Sequence, residues 1–241
     1  MDELNRMNSL RCYSDDSLYP EELRSIKNAP SVIYYNGELS IINDLPCVAI
    51  VGAREASHRA LQFAYKLGRM AAECGFAVVN GLAIGCDTEA LRGALSVNGK
   101  CVAVMPCGVD CIYPKINRSL ADSIISSGGC VISEYPDGVR PQKQYFIKRD
   151  RIQSGLSQGV IVVEAKEHSG TMHTVKFAQK QNKRLAAYYS KLLEVQSGNR
   201  MIVENNEGCP IDDDKSIHDF LLSVHRDRNE TGRQLVLELI Q

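Results

Sequence analysis

The fold is decided by residues 47–54, which read Cys-Val-Ala-Ile-Val-Gly-Ala-Arg. A short run of apolar, partly β-branched residues is typical of a strand that is buried on both faces of a parallel sheet. The glycine and arginine end this strand, and residues 58–74 follow with apolar side chains at helical spacing. A buried strand that leads into a helix is the repeating unit of an α/β fold.

Four further apolar runs of the same kind follow, with helical patterns between most of them. The predicted strands are 76–79, 100–105, 130–133 and 160–163, and the predicted helices are 87–97, 117–127 and 171–181. Asp87 is the expected N-cap of the first of these helices. Hairpin dipeptides are absent between the strands, which disfavours an antiparallel sheet. We therefore predict an α/β, Rossmann-like fold with a doubly wound, mostly parallel sheet.

Two flanks surround this core. Residues 1–45 contain Tyr19-Pro20 and an apolar run before Asn36-Gly37, which predict a short N-terminal lead-in with an extra strand or hairpin. Residues 206–241 are more polar and end in an amphipathic stretch at 234–240, which predicts a short helical C-terminal tail. The predicted organisation is a lead-in (1–45), a Rossmann-like core (46–205) and a tail (206–241).

Composition narrows the class of protein. A chain of 241 residues with 44% hydrophobic residues can bury a full core. A net charge of −1 excludes a uniformly basic coat for nucleic acid but allows one basic face. The nine cysteines form no Cys-x-x-Cys pair, so we expect reduced thiols, no metal site and a cytoplasmic location. No signal peptide or membrane span is visible, and we expect no membrane association.

Residues 140–151 carry an unusual concentration of charge, with five basic residues and one acid around Tyr145 and Phe146. Cations neutralise phosphates and aromatic faces stack on unpaired bases, so this segment indicates a site for single-stranded nucleic acid. We expect it to form a loop beyond the fourth strand of the core. Taken alone, the segment is equally compatible with a solvated surface loop whose two aromatic side chains are buried.

The other unusual residues also follow the strands, where ligands bind in open parallel sheets. Glycines in these turns let a ligand approach the backbone, and a helix that begins there attracts an anion. Convergence of several such turns on one edge predicts a ligand that carries phosphate. The residues in these turns that we select for this site are Gly52, Arg54, Gly81, Gly85, Lys115, Ser169, Gly170 and Thr171.

Motifs for catalysis are missing. The chain has no Gly-x-Gly-x-x-Gly after the first strand, no Walker-type Gly-Lys-Ser/Thr and no Gly-x-Ser-x-Gly elbow, and His168 and His173 are expected to be ordinary loop and helix residues. Glu134 and Glu164 each follow a strand. They could form a carboxylate pair, or they could orient arginines such as Arg149 or Arg151.

The loops, read in order, resemble the DNA-processing protein A family, also called DprA or Smf. The resemblance covers roughly residues 15–205, and its motifs are specific only as an ordered set. They are Val-Ala-Ile-Val-Gly-Ala-Arg (48–54), Val-Asn-Gly-Leu-Ala-Ile-Gly-Cys-Asp (79–87), Gly-Val-Asp (108–110), Tyr-Pro-Lys-Ile-Asn (113–117), Ser-Glu-Tyr-Pro (133–136), Arg-Asp-Arg-Ile (149–152), Ser-Gly-Leu-Ser (154–157), Val-Val-Glu-Ala (162–165) and Ser-Gly-Thr (169–171).

The resemblance implies a protein that is not an enzyme and needs no cofactor. Such proteins bind single-stranded DNA taken up in natural transformation, protect it, help to load a RecA-type recombinase and commonly form homodimers. By motif, Arg54 and Lys115 would contact phosphates, and the backbone at 169–171 would accept one. The residues that correspond to the family's basic stretch, where an aromatic ring can stack on a base, are Lys143, Phe146, Arg149 and Arg151.

The chain departs from the family pattern in ways that mark it as a core-only or divergent member. The family usually has Asn where this chain has Asp150, which lowers the local positive charge. The Val-Pro-Gly that usually closes the core is missing, and residues 206–241 are too few for a full winged-helix domain.

Two other functions remain open at this point. One is a nucleotide hydrolase related to the cytokinin-activating phosphoribohydrolases, although their Pro-Gly-Gly-x-Gly-Thr-x-x-Glu motif is not reproduced and Thr174 stands in the place of its glutamate. The other is a nucleotide-sensing module in defence or signalling.

Overall fold

The computed structural model describes residues 9–192 and 194–225. Within them the chain forms one nine-stranded sheet. Its strands are β1 (Leu10–Tyr13), β2 (Val32–Gly37), β3 (Cys47–Val51), β4 (Ala77–Asn80), β5 (Cys101–Met105), β6 (Cys130–Ser133), β7 (Gly159–Val162), β8 (Arg184–Tyr188) and β9 (Cys209–Ile211). The spatial order is β1-β2-β6-β5-β4-β3-β7-β8-β9.

The sheet is mostly parallel and doubly wound, which confirms the predicted Rossmann-like fold. Strands β3 to β9 pair in parallel, whereas β1 and β2 are antiparallel additions at the β6 edge. From β3 the chain builds outward to β6 and then returns to place β7 on the other side of β3. The loops after β3 and β7 therefore leave in opposite directions and open a crevice, which is the topological switch point of the fold.

Helices cover both faces of the sheet. They are α1 (Glu21–Arg24), α2 (Ile41–Asp44), α3 (His58–Glu73), α4 (Cys86–Leu95), α5 (Arg118–Ser126), α6 (Lys143–Leu156), α7 (Thr171–Lys180), α8 (Ser197–Glu204) and a last helix, α9, at 214–225. Side chains alternate along β3, so that Val48 and Ile50 join α3, α4 and α5 in one core while Ala49 and Val51 join α7 and α8 in another. None of the described helices has the length and apolar character needed to span a bilayer.

The prediction of a loop at 140–151 is wrong, because most of this segment belongs to α6. The helix was not visible in the sequence because its buried face is largely polar. Arg149, Asp150, Gln153 and Ser154 are all buried, so hydrophobic residues do not recur with helical period. Polar side chains buried together need hydrogen-bond partners, which indicates that this face of α6 forms an internal network.

The flanks pack on the core. In the lead-in, Tyr19 is fully buried and its hydroxyl donates to the Pro30 carbonyl at 2.6 Å. Beyond residue 205, β9 pairs with β8, and Phe220 and Val224 of α9 pack where Gly159 leaves room on β7. The sheet thus continues across the boundary predicted between 205 and 206. The helix predicted at 234–240 lies outside the described residues.

Candidate functional site

A cleft of about 790 Å³ opens beyond the carboxyl ends of β3 and β7, at the switch point. Two loops that leave β3 and β7, the start of α7 and one face of α6 form its walls. The cleft gathers eight of the twelve residues selected from the sequence: Gly52, Arg54, Lys143, Phe146, Arg149, Ser169, Gly170 and Thr171. The other four, Gly81, Gly85, Lys115 and Arg151, do not line it.

One wall joins a cation to aromatic rings at the mouth of the cleft. The guanidinium carbon of Arg54 lies 5.3 Å from the centroid of the Phe146 ring, within the range of a cation–π contact. Tyr113 adds a second ring, which packs edge-on against Phe146 with 5.5 Å between the ring centroids. Arg54 is exposed and Phe146 is half-buried, so this wall offers both positive charge and an aromatic surface to a ligand.

The other wall is the N-terminus of α7. Gly170 is its N-cap. The Met172 and His173 N–H groups donate to the Ser169 and Gly170 carbonyls at 3.1 and 3.0 Å, so the Gly170 and Thr171 N–H groups are the ones left for a ligand. No atom lies within 4 Å of the point where a Cβ of Gly170 would stand, so the backbone is open to a ligand. Nearby, the Ser169 hydroxyl is buried without a hydrogen-bond partner. These groups are the donors that an anion needs.

The floor of the cleft is a buried charge cluster built around Arg149. This side chain is only 6% exposed, and its guanidinium donates to Asp150 Oδ1 at 3.2 Å and to the Val104 carbonyl. Burial raises the pKa of Asp87 and of Asp150 to about 6 in each case, and the positive charge of Arg149 offsets part of that rise. Arg149 is thus held within the chain through Nε and Nη1, while one surface of it borders the cleft and its Nη2 forms no hydrogen bond within the described residues.

Asp87 holds the glycine-rich turn after β4 in place. It is not the N-cap of α4, as predicted, because Gly85 takes that position with a φ of 81°. The Asp87 carboxylate instead reaches back to accept hydrogen bonds from the Gly81 and Ala83 N–H groups at 3.0 and 3.3 Å. The prediction of Asp87 as the N-cap is therefore wrong, because its carboxylate binds N–H groups of the preceding turn and not those of the helix.

The glycines of this turn have packing roles, and the prediction that they contact the ligand is not supported by their placement. A Cβ on Gly81 would lie 2.1 Å from Arg149 Nη1, so this position must stay bare for the guanidinium to fit. A Cβ on Gly85 would lie 2.4 Å from the carbonyl oxygens of Ala53 and Arg54. Gly85 therefore allows the turn after β4 to approach the backbone that carries Arg54.

Arg151 lies outside the cleft, which corrects its assignment as a ligand contact. Its guanidinium forms a bidentate pair with Glu134, with both distances 2.8 Å, and its Nε donates to the Asn28 carbonyl at 3.1 Å. Residues two apart on a helix are about 200° apart around its axis, so Arg149 and Arg151 cannot share a face. Of the two alternatives for Glu134, the one in which it orients an arginine is confirmed.

Glu164 is engaged as well. Its two oxygens accept from the backbone N–H and the hydroxyl of Ser57, at 3.0 and 2.7 Å. The same hydroxyl caps α3 by accepting from the Ala60 N–H. Because Glu164 binds Ser57 and Glu134 binds Arg151, the two glutamates do not act as a carboxylate pair.

Lys115 is exposed in a short 3-10 turn, Lys115–Asn117, close in sequence to Tyr113 but outside the cleft. It does not shape the cavity. Within the described ranges, no group of three or more histidine, cysteine, aspartate or glutamate side chains is placed to hold a metal ion.

Several cleft residues were missed from the sequence. The chief ones are Asp150, Gln153 and Thr174 in the floor and Lys166 at the rim. The spacing of these residues could have indicated Asp150 and Gln153. Positions 146, 149, 150 and 153 follow the helical spacing i, i+3, i+4 and i+7, so in a helix they lie on the same face as Phe146. Assigning the segment to a loop concealed this relationship.

The doubly wound sheet and the ligand-sized cleft at its switch point define a Rossmann-like α/β protein. Residues 11–221 match the model of the DNA recombination-mediator protein A family. The chain belongs to that family, and the resemblance that the loop motifs indicated is confirmed.

Individual relatives agree with this assignment. The chain is 39% identical over 172 residues to protein Smf of Synechocystis sp., covering 70% of this chain and 43% of the relative. It is 38% identical over 179 residues to the DNA processing protein DprA of Streptococcus pneumoniae, covering 74% and 62%. This chain therefore spans about half the length of the curated relatives that it matches.

A solved structure extends the comparison. The DNA processing protein A of Helicobacter pylori, studied for its single-stranded DNA binding mode, superimposes with a TM-score of 0.78 at 28% identity, covering 92% of this chain and 99% of that one. The fold described above is therefore that of a protein in which single-stranded DNA binding has been studied.

Proposed function

We propose that this protein binds single-stranded DNA in the switch-point cleft, protects it, and assists the loading of a RecA-type recombinase during natural transformation and recombination. The observation that carries the proposal is the Arg54–Phe146 pair, which faces the open N-terminus of α7 across the cleft. Single-stranded nucleic acid requires a surface for base stacking next to a site for phosphate, and this arrangement supplies both.

The shape of the site favours a single strand over a duplex. The aromatic ring of Phe146 is half-buried in the wall of the cleft, and only an unpaired base can turn its face toward that ring. The bases of a duplex are already paired and stacked, so a duplex would offer the cleft little beyond its phosphates. The similarity to the H. pylori protein supports the same choice of ligand.

We propose that the protein is not an enzyme. The two glutamates that follow strands, Glu164 and Glu134, are both engaged by other residues, so neither is free to act in a phosphoribohydrolase-like reaction. Thr174, which stands in the place of the catalytic glutamate of those hydrolases, is 2% exposed and lies within hydrogen-bond distance of Gln153. A nucleotide-sensing module would bind phosphate at the same N-terminus of α7. The geometry of the cleft therefore does not distinguish this function from DNA binding, and the binding experiment below does.

The remaining proposals rest on family membership. A homodimer, a RecA-type partner and a cytoplasmic location are each expected for a member of the DNA recombination-mediator protein A family. We also propose that the chain is organised as a lead-in (1–45), a core (46–205) and a tail (206–241).

A salt titration of binding tests the proposed ligand. Fluorescence anisotropy with a labelled single-stranded oligonucleotide, its duplex and a nucleoside monophosphate would be measured across a range of salt concentrations. We expect tight binding of the single strand that weakens steeply with salt, and poor competition by the duplex and the mononucleotide. Equal affinity for duplex and single strand would contradict the proposal, and tight binding of the mononucleotide alone would favour the nucleotide sensor.

A further inference from the structure

Asp150 is a buried carboxylate that borders the cleft. It is 8% exposed and lies in the floor beside Arg149 and Gln153. Its Oδ1 atom accepts hydrogen bonds from Arg149 Nε at 3.2 Å and from Gln153 Nε2 at 3.0 Å. Both donors bind the same oxygen, and no donor in the described part of the chain is bonded to Oδ2.

An unmet acceptor in such a place is costly. A buried carboxylate loses its hydration, and hydrogen bonds must replace the water that it gives up. The Gln153 amide next to it adds a second unmet acceptor, because its Oε1 atom is buried without a hydrogen-bond partner. The floor of the cleft therefore presents an unpaired acceptor, Asp150 Oδ2, beside the Arg149 guanidinium, whose Nη2 forms no hydrogen bond within the described residues. A part of the ligand with an N–H group next to an acceptor would be complementary to this pair.

The phosphate of a nucleotide does not meet this requirement. A phosphate carries only acceptors and negative charge, so Asp150 would repel it, and the phosphate belongs at Arg54 and the N-terminus of α7. The base is the other part of the ligand. Phe146 lies one helical turn before Asp150 on the same face of α6, so a base that stacks on the Phe146 ring extends its edge toward the carboxylate.

Bases differ at that edge. Cytosine, adenine and guanine carry an exocyclic amino group, which donates hydrogen bonds, whereas uracil has a carbonyl oxygen where cytosine has its amino group. An amino group would satisfy Asp150 Oδ2. Uracil and thymine instead place the O4 carbonyl oxygen against the carboxylate, and their N3–H donor then faces the Arg149 guanidinium, which cannot accept a hydrogen bond. The Arg149 guanidinium beside Asp150 can in turn donate to the acceptors N3 and O2 of cytosine.

We propose that Asp150 is a specificity-determining residue, which makes the cleft prefer bases with an exocyclic amino group over thymine and uracil. The inference rests on the proposed binding of single-stranded DNA and adds to it a choice among bases. Oligo-dC and oligo-dU tracts test it well, because their bases differ only in the amino or carbonyl group at C4 and in the acceptor or N–H group at the adjoining N3. Every binding register of such a tract also presents the same base.

The experiment measures the affinities of twelve-nucleotide dC and dU tracts at pH 7.5 and fixed salt, for the unaltered protein and for Asp150→Asn. We expect the unaltered protein to bind the dC tract about tenfold more tightly, since one such base contact is worth about 1–3 kcal/mol. In Asp150→Asn the ratio should fall toward one, because a carboxamide offers both an acceptor and a donor. Asp122→Asn makes the same charge change on the exposed surface of α5, outside the cleft, and should keep the preference.

A change in the DNA alone guards against a variant that fails to fold. A tract of N4,N4-dimethylcytosine lacks the amino hydrogens, and the unaltered protein should bind it no better than the dU tract. Equal and tight binding of dC and dU tracts would overturn this inference and leave the proposed function intact. A preference that persists in Asp150→Asn would also overturn it. Failure to bind either tract would overturn both.

Discussion

The guanidinium carbon of Arg54 lies over the ring of Phe146, 5.3 Å from its centroid, although the two residues come from different elements of the fold. Arg54 follows β3, whereas Phe146 lies in the first turn of α6. The contact closes one side of the cleft mouth without burying the cation. Because the positive charge and the aromatic ring belong to different residues, a substitution at Arg54 can remove the charge and one at Phe146 can remove the stacking surface.

Arg54→Ala should weaken binding of single-stranded DNA and reduce its dependence on salt. Each phosphate contact on a single strand contributes about 0.7 to the slope of log affinity against log salt, so loss of Arg54 should lower the slope by roughly that amount. Anisotropy titrations at several salt concentrations measure the slope. Arg92→Ala, which removes an exposed arginine paired with Glu89 on α4, is the matched control and should leave the slope unchanged.

Phe146→Leu should weaken binding without changing the salt slope. Leucine keeps much of the apolar volume but removes the aromatic face, and stacking of one base on an aromatic residue is worth about 1–3 kcal/mol. Phe146→Tyr keeps a ring and should retain most of the affinity. The same titrations serve as the measurement, and a parallel loss of slope in Phe146→Leu would show that the ring acts only by positioning Arg54.

Gly81→Ala and Gly170→Ala should separate stability from binding. At Gly81 a Cβ would displace the buried Arg149 guanidinium, so we expect a loss of about 2 kcal/mol in the free energy of unfolding. At Gly170 the φ is −58° and the surrounding space is open, so stability should hold while phosphate loses access to the backbone and DNA binding weakens. Urea denaturation and anisotropy, applied to both variants, provide the comparison. Normal stability of Gly81→Ala would contradict the packing role.

Arg151→Ala should affect folding more than binding. The substitution leaves Glu134, whose side chain is 16% exposed, without its bidentate partner, and breaking such a largely buried pair costs about 3–5 kcal/mol. Glu134→Gln with Arg151→Ala should recover part of the loss by removing the unpaired charge. DNA affinity is then measured at a temperature where each variant is folded. A selective loss of affinity with unchanged stability would restore Arg151 as a ligand contact.

Asp150→Asn should change the pH dependence of stability. Burial raises the pKa of Asp150 from its usual 3.8 to about 6, so the folded protein binds this proton more tightly than the unfolded chain does. The free energy of unfolding therefore falls as pH rises from about 4 to about 6, and the loss persists above pH 6. Asparagine removes this contribution. The free energy of unfolding of the variant, minus that of the unaltered protein, should therefore rise by on the order of 3 kcal/mol from pH 4 to pH 8.

Urea denaturation at pH 4, 5, 6 and 8 tests this expectation. Burial raises the pKa of Asp87 in the same direction, and the charge of Asp150 adds to that rise. Loss of the Asp150 charge should therefore reduce the contribution of Asp87 as well, which changes the difference between the two proteins in the same direction. Stability curves that run parallel for the two proteins across this range would show that Asp150 does not titrate as its burial indicates.

Much of the fold could be predicted because the strands of its centre are uniformly apolar. All five residues of β3 are buried, and the predicted ends of the core strands lie within one residue of the observed ones. Hydrophobic pattern is a reliable guide where both faces of an element meet apolar neighbours. The glycine turns and the start of α7 were placed correctly for the same reason, since they follow those strands directly.

The site was harder to predict than the sheet. In α6 the buried face is held by hydrogen bonds and charge pairs rather than by apolar contact, so the hydrophobic pattern did not indicate a helix. Arg149 and Arg151 are neighbours in the sequence motif, yet one enters the floor of the cleft and the other anchors the lead-in. Charge content alone cannot reveal which arginine forms its hydrogen bonds and ion pairs within the protein, because its partners are distant in the sequence.

Helix α6 borders the cleft with one face and binds the lead-in with another. Few of its positions can therefore be substituted without affecting the cleft or the packing. From Arg149 to Leu156 almost every residue is buried, and the exposed positions in the first turns include several that line the cleft. Gln144 and Lys148 are the exposed positions of α6 outside the cleft. Substitutions that accumulate without effect should collect at these two sites, which also makes them the natural attachment points for a fluorescent reporter.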